Sequence, residues 1–157
     1  IVELRPNKGA TIAMPTPEET RQIFEARRAI EARPMLSNWQ ALLDYLRADM
    51  APHGIERVRV LHLNSRNMLI RDENMGDGSI DQAAIYTREV IKRAMELGSA
   101  ALILVHNHPS GDPSPSKQDI EITRQIVEAG KRLGISVHDH IIIGGSDYRS
   151  FRAMGLL

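Results

Sequence analysis

The period of the apolar positions changes several times along the chain, and each change marks the edge of an element. Residues 1–15, interrupted by Pro6, Gly9 and Pro15, hold no period and read as an irregular arm. Thr16, with Pro17 at the first helical position and Glu19 three residues after the cap, opens a helix of about 17 residues through a capping box. Only Ile23, Phe24 and Ile30 anchor it among Glu25, Arg27, Arg28, Glu31 and Arg33, so it lies on the surface of the main body. After Pro34 a second helix is announced by Ser37 as cap and Gln40 three residues on. Its Trp39, Leu42, Leu43, Leu46 and Met50 recur at helical spacing and form a core stripe that ends at Pro52 and Gly54. The pattern then changes to strand: Val58, Val60, Leu61 and Leu63 mark one strand, residues 64–67 a turn, and Met68 to Ile70 a short returning strand. A glycine-rich link (Gly76, Asp77, Gly78) leads past Asp81 to a helix capped by Thr87, carrying Val90, Ile91, Ala94, Met95 and Leu97 and closed by Gly98. Ala100 to Val105 is apolar on both parities, as in a strand buried on both faces. A loop with Gly111, Pro109, Pro113 and Pro115 follows, then a helix from Ser116 to about Leu133 closed by Gly134, and a strand over ISVHDHIII that runs into Gly144 and Gly145.

Composition adds limits rather than elements. A chain of 157 residues, 42% hydrophobic and 25% charged, suffices for one domain with a sizeable core. Twenty basic residues against twenty acidic ones give no global field toward a phosphate backbone or an anionic membrane, so charge does not support nucleic acid as a partner. The six aromatic residues (Phe24, Trp39, Tyr45, Tyr86, Tyr148, Phe151) are scattered and offer no stacking platform. Without cysteine there are no disulfides, thiolate nucleophiles or thiolate metal ligands. No apolar run approaches a membrane span and the first residues lack a signal-peptide core, so a cytoplasmic location is expected. A start at Ile1 leads to the expectation that the parent protein continues upstream.

The chemistry concentrates after the buried strand. Two histidines two residues apart on an extended chain point to the same side, and His106 and His108 stand where that strand gives way to a loop-lined cleft. A catalytic zinc typically takes three protein nitrogen or oxygen ligands and leaves the fourth tetrahedral position to water, so a third ligand is needed. Asp119 is the candidate, because the proline-stiffened loop can return the first turn of the next helix over the histidines. A plainer account exists: Ser116-Lys117-Gln118-Asp119 is also a capping box. The conjunction of a histidine pair at a strand end with a Ser-x-x-Asp helix start favours a site, and capping need not compete with ligation.

The run His106-Asn107-His108-Pro109, six residues, then Ser116-Lys117-Gln118-Asp119 matches the signature His-x-His-Pro-x6-Ser-x-x-Asp position for position. On it the chain resembles the JAMM (MPN+) metalloprotease superfamily. More narrowly, TREVIKRAMELGSAALILVHNHPSG, HNHPSGDPSPSKQDIEIT, DHIIIG and YRSF are similar to bacterial RadC-like (UPF0758-type) proteins, a resemblance that spans residues 36–157. The resemblance implies an α/β fold of the α+β type, a mixed β-sheet flanked by helices with the MPN/JAB1, cytidine-deaminase-like architecture. It divides the chain into an arm and surface helix over residues 1–34 and an MPN (JAMM) domain over 35–157. It further implies one zinc ion per chain held by His106, His108 and Asp119, with Ser116 stabilising a tetrahedral oxyanion.

Such enzymes also use an upstream glutamate as general base, for which Glu56, Glu73 and Glu89 are candidates. Glu56 fits best, standing at the start of the first strand and sharing a face with Val58 and Val60. Glu89 belongs to the first turn of a helix, and Glu73 to a loop. Asp139 or His140 is a candidate to support the ligands and His138 is read as exposed, with a structural role favoured for all three, and His53 and His62 are read as surface residues. The resulting expectation is a zinc-dependent peptidase or isopeptidase acting on an unidentified peptide or protein. The alternatives are a DNA-repair-associated accessory module, after the history of the RadC-like proteins, and a non-catalytic MPN scaffold.

Overall fold

A computed structural model describes the backbone of residues 2–5, 9–12, 16–31, 38–78 and 83–157, and the side chains of residues 16–26, 38–78 and 86–157. Its elements in chain order are β1 (Val2–Arg5), β2 (Gly9–Ile12), α1 (Pro17–Glu31), α2 (Trp39–Met50), β3 (Arg57–Leu63), β4 (Leu69–Asp77), α3 (Ala83–Glu96), β5 (Ala101–Asn107), α4 (Lys117–Arg132), β6 (Ser136–Gly144) and β7 (Asp147–Ser150). Strands β3 to β7 form one mixed sheet in the order β4-β3-β5-β6-β7, in which only β5 and β6 run parallel. A parallel neighbour requires a crossover, and α4 supplies it.

The sheet separates two apolar layers, and the period of two along β5 shows how. Ala101, Ile103 and Val105 pack with Leu42, Leu43, Leu46 and Met50 of α2. Leu102 and Leu104 pack on the other side, with Val90, Ile91 and Ala94 of α3 and with Ile122 and Ile126 of α4. Every residue of β5 is buried, which accounts for its lack of alternation. Each fully buried aliphatic side chain stabilises the fold by about 1.5–3 kcal/mol, so the central strand anchors both layers. The same alternation assigns His106 to the side of α3 and α4, and Asn107 to the side of α2. Gly98 (φ 64°) and Gly134 (φ 72°) follow α3 and α4 in the left-handed conformation that ends a helix without steric cost.

Several expectations need correction. The arm contains an antiparallel pair, β1 with β2, in register Val2 to Ile12. At α1 the capping box is present: the Thr16 amide donates to Glu19 Oε2 (2.8 Å) and the Glu19 amide to Thr16 Oγ1 (3.1 Å). Of its anchors, Ile23 packs against the α2 layer, but Phe24 is 63% exposed, and the Ile30 side chain lies outside the described residues. Ser37, the expected cap of α2, and Asp81 also lie outside them. The returning strand β4 runs on to Asp77, so Glu73, Gly76 and Asp77 belong to a strand rather than to a loop and link. Thr87 sits inside α3, which starts at Ala83, and Glu89 is past the first turn. Beyond Gly145 the tail forms β7 against β6. Among the described residues no helix is long and apolar enough to cross a membrane.

Candidate metal centre

His106 is the last residue of β5 on the α4 side and is fully buried, while His108 lies just past the strand, its amide donating to the Ile143 carbonyl (2.8 Å). The pair therefore sits at the carboxyl end of the parallel strands, where α/β sheets open a crevice. Asp119, 2% exposed, reaches the same point from the first turn of α4. The capping box is real: the Asp119 amide donates to Ser116 Oγ (3.0 Å) and the Ser116 amide to Asp119 Oδ2 (2.6 Å). The same carboxylate places Oδ1 at 3.4 Å from His106 Nε2 and Oδ2 at 3.5 Å from His108 Nε2, so the cap holds Asp119 against the histidines instead of competing with them. Glu56 arrives from across the sheet. The antiparallel register pairs Val58 with His106, and Glu56, two residues earlier, brings Oε1 to 3.7 Å from His106 Nε2.

One potential donor atom from each of Glu56, His106, His108 and Asp119 lies within 4.8 Å of the others. A small tetrahedral cation with bonds of about 2.0–2.1 Å spaces its ligand atoms about 3.3 Å apart. The separations here, 2.8 Å between the two Nε2 atoms and 3.4–3.7 Å for the pairs above, bracket that value. The protons point the same way. His108 Nδ1 donates to the Asp112 carbonyl (2.8 Å), which can only accept, so a neutral His108 turns a bare Nε2 toward His106 Nε2. Where His106 Nε2 is bare as well, two lone pairs at that distance need a positive charge between them. The four residues could hold a metal ion.

Electrostatics are consistent with a site that wants a cation. Burial holds the His106 imidazole down to about 4, against the opposing pull of Asp119. The hydrogen bond with Asp119 raises His108 above the ordinary histidine value despite partial burial. Burial works against ionisation of Asp119, yet its bond to His108, the neighbouring His106 and the Ser116 amide keep the carboxyl well below the usual carboxylate range.

Of the other glutamates, Glu73 is held by Arg93 (2.6 and 2.7 Å), and Glu89 lies by Arg88 on the surface of α3. His62 is not a surface residue. It is fully buried on β3, with Nδ1 3.0 Å from Ser99 Oγ, and burial pushes it down to about 4. His53 is half-buried against Arg57.

Three residues around the cluster were not singled out from the sequence. Asn107, between the histidines but on the opposite parity, accepts from the Arg57 amide (2.7 Å) and donates to the carbonyls of Ile55 (3.0 Å) and His53 (3.3 Å), gripping the chain on both sides of Glu56. Thr123, one turn along α4 from Asp119, and Phe151, stacked on the His140 ring at 4.5 Å, line the buried side. His-x-His spacing alone could have directed attention to Asn107, since any residue between two same-face ligands points at the opposite layer. His140 itself is buried against His106, whereas His138 is half-buried and meets Asn67 (2.7 Å).

The sequence model of the RadC-like JAB domain matches residues 36–156. A UPF0758 protein of Rhodobacter capsulatus is 54% identical over 132 residues, covering 84% of this chain and 62% of the relative. A UPF0758 protein of Ruegeria pomeroyi is 51% identical over 132 residues, covering 84% of this chain and 59% of the relative. The chain thus spans about three fifths of the length of each of these relatives.

Proposed function

This chain belongs to the RadC-like JAB domain family, and from that membership we propose that it is a zinc-dependent peptidase or isopeptidase working through an activated water. Family and cluster together fit a metallohydrolase; the identity of the metal, the bond cleaved and the roles below are our reading. The observation that carries it is the convergence of Glu56, His106, His108 and Asp119 on one point from three separate elements.

His106, His108 and Asp119 would hold the ion, a two-nitrogen, one-carboxylate set that suits zinc and leaves a position open. Bound zinc lowers the pKa of a coordinated water from about 15.7 toward about 7 and polarises a carbonyl oxygen. Glu56, half-buried and at the rim of the cluster, would accept a proton from the attacking water and return it to the departing amine. Ser116 uses its hydroxyl oxygen as the helix cap, so its O–H is the part that stabilises the oxyanion.

Metal analysis of the purified chain tests the first step: near-stoichiometric zinc in the wild type and its loss in His106→Ala and Asp119→Ala. Wild type without zinc, or variants that keep it, sinks the ligand assignment. Cleavage of a peptide library by the wild type, abolished in Glu56→Gln while zinc is retained, tests the base. Unchanged turnover in that variant removes Glu56 from the role.

A further inference from the structure

His106 turns one nitrogen to the cluster and the other into the protein, and the inner side is a chain of hydrogen bonds with a forced direction. It begins at the Asp119 backbone carbonyl, which can only accept. Thr123 Oγ1 lies 2.6 Å from that oxygen, one helical turn on, and gives it its single proton. The lone pairs of Oγ1 then face His140 Nδ1 at 2.6 Å, so that nitrogen carries hydrogen. The His140 ring is 3% exposed, stacked on Phe151, and among the described residues has no hydrogen bond or ion pair to a carboxylate; a neutral imidazole has one N–H, which Nδ1 has taken. Its Nε2 is therefore an acceptor, 2.8 Å from His106 Nδ1. His106 must donate there, and its Nε2 is left bare toward His108, Asp119 and Glu56.

We propose that His140 is the positioning residue of this site: through Thr123 and the Asp119 carbonyl it locks His106 in the Nδ1–H tautomer and aims its Nε2 lone pair at the metal position. The proposal rests on the ligand reading above, and adds that the chain closes on itself. Asp119 offers its carboxylate to the cluster and its carbonyl to the far end of the relay. The orientation of one ligand is thereby tied to the helix turn that presents the other. A histidine ligand held through its second nitrogen binds more tightly because its lone pair is fixed and more basic, and loss of such a partner costs about 10- to 100-fold in metal affinity.

The test uses His140→Phe, which keeps a ring against Phe151 but cannot accept, and His140→Gln, which restores an acceptor. Zinc affinity by competition with a chelator should fall about 10- to 100-fold in His140→Phe and recover largely in His140→Gln. Nitrogen-15 spectra of the histidine rings in metal-free protein should show His106 as the Nδ1–H tautomer in wild type and His140→Gln, and a mixture in His140→Phe. If His140→Phe fails to fold, Thr123→Val, which replaces the hydroxyl with a methyl group, should lower zinc affinity and shift the tautomer in the same sense. Wild-type zinc affinity and an unchanged His106 tautomer in these variants overturn the proposal. A wild type that binds no zinc overturns the ligand reading instead, while the spectra still decide whether His140 sets the tautomer.

Discussion

Gly144 ends β6 directly behind the loop that carries the partner of His108, and its missing side chain is what allows the two to meet. A Cβ built there would lie 2.5 Å from Pro113 N, 2.7 Å from the Gly111 oxygen and 2.8 Å from the Asp112 carbonyl carbon. Ordinary contact starts at 3.4 Å, so Gly144→Ala drives three backbone atoms back by about 0.6–0.9 Å, and no rotamer change relieves it. The Asp112 oxygen accepts from His108 Nδ1 at 2.8 Å, and a shift of that size takes the bond past the useful range. Overpacking costs about 1–3 kcal/mol and the lost hydrogen bond about 1 kcal/mol more. For a chain of this length each kcal/mol lowers Tm by about 2–4 °C, so a drop of about 4–16 °C is expected. Zinc affinity should fall with it, because His108 loses the contact that fixes its ring. Gly76→Ala is the control: a Cβ there meets nothing within 4 Å. Thermal melts and chelator competition on both variants read the outcome. A Gly144→Ala protein that melts and binds zinc like the Gly76→Ala control would refute the reasoning.

Two further predictions concern residues outside the proposed ligand set. Asn107→Ala strands the Arg57 amide and the Ile55 carbonyl beside Glu56; at about 1–3 kcal/mol for each group left unpaired, urea titration should show a loss of about 2–6 kcal/mol. Zinc content should stay at the wild-type level, and loss of zinc in parallel with stability would show that Asn107 does more than grip the Glu56 segment. Burial lowers His62 to about 4 against about 6.5 unfolded. Between those values the unfolded chain binds more protons, so the contribution of His62 is whole above pH 6.5 and is lost as pH falls toward 4, about 2 kcal/mol of it by pH 5. Stability of His62→Gln should therefore fall less than that of the wild type between about pH 7.5 and about pH 5, by about 2 kcal/mol, and parallel losses would contradict the assignment.

Apolar periodicity identified the elements that are buried on a whole face. The stripe of α2, the two-sided burial of β5 and the capped α4 are legible because each residue's environment follows from its own neighbours in sequence. The strand β4 was cut short after Ile70 because it is an edge strand: RDENMGD puts little into the core, and Asp72 and Glu73 answer to Arg59 and Arg93 from other elements. His62 was misplaced for a related reason. A lone histidine among valines and leucines follows the strand's burial whatever its polarity, and the Ser99 hydroxyl that accommodates it lies 37 residues away. In β1 and β2 a four-residue strand has too few alternations to stand out against Pro6 and Gly9.

The candidate site divides along the same line. His106, His108, Ser116 and Asp119 lie within fourteen consecutive residues on one strand, loop and helix, so their meeting is a local property and could be read from spacing. Glu56 needed the β3–β5 register, of which strand parity gave only the face. The choice between Asp139 and His140 was beyond the sequence for a specific reason. In β6 the pairing with β5 jumps from Leu102–Val137 to Ile103–Asp139, leaving His138 as an extra residue. Past the bulge His140 pairs with Leu104 and shares the face of Leu104 and His106; in an unshifted ladder Asp139 would have held that place and His140 would have faced α2. With the bulge, Asp139 turns to the Ser150 hydroxyl (2.5 Å) and the Arg152 amide (3.0 Å), tying β6 to the tail. The inner partner of His106 thus becomes an imidazole that hands the hydrogen bond on to Thr123, where a carboxylate would have ended the chain with a second negative charge beside Asp119. One unpaired residue in a strand decides the charge of the site's inner wall, and such a residue leaves no mark in a pattern of alternating polar and apolar positions.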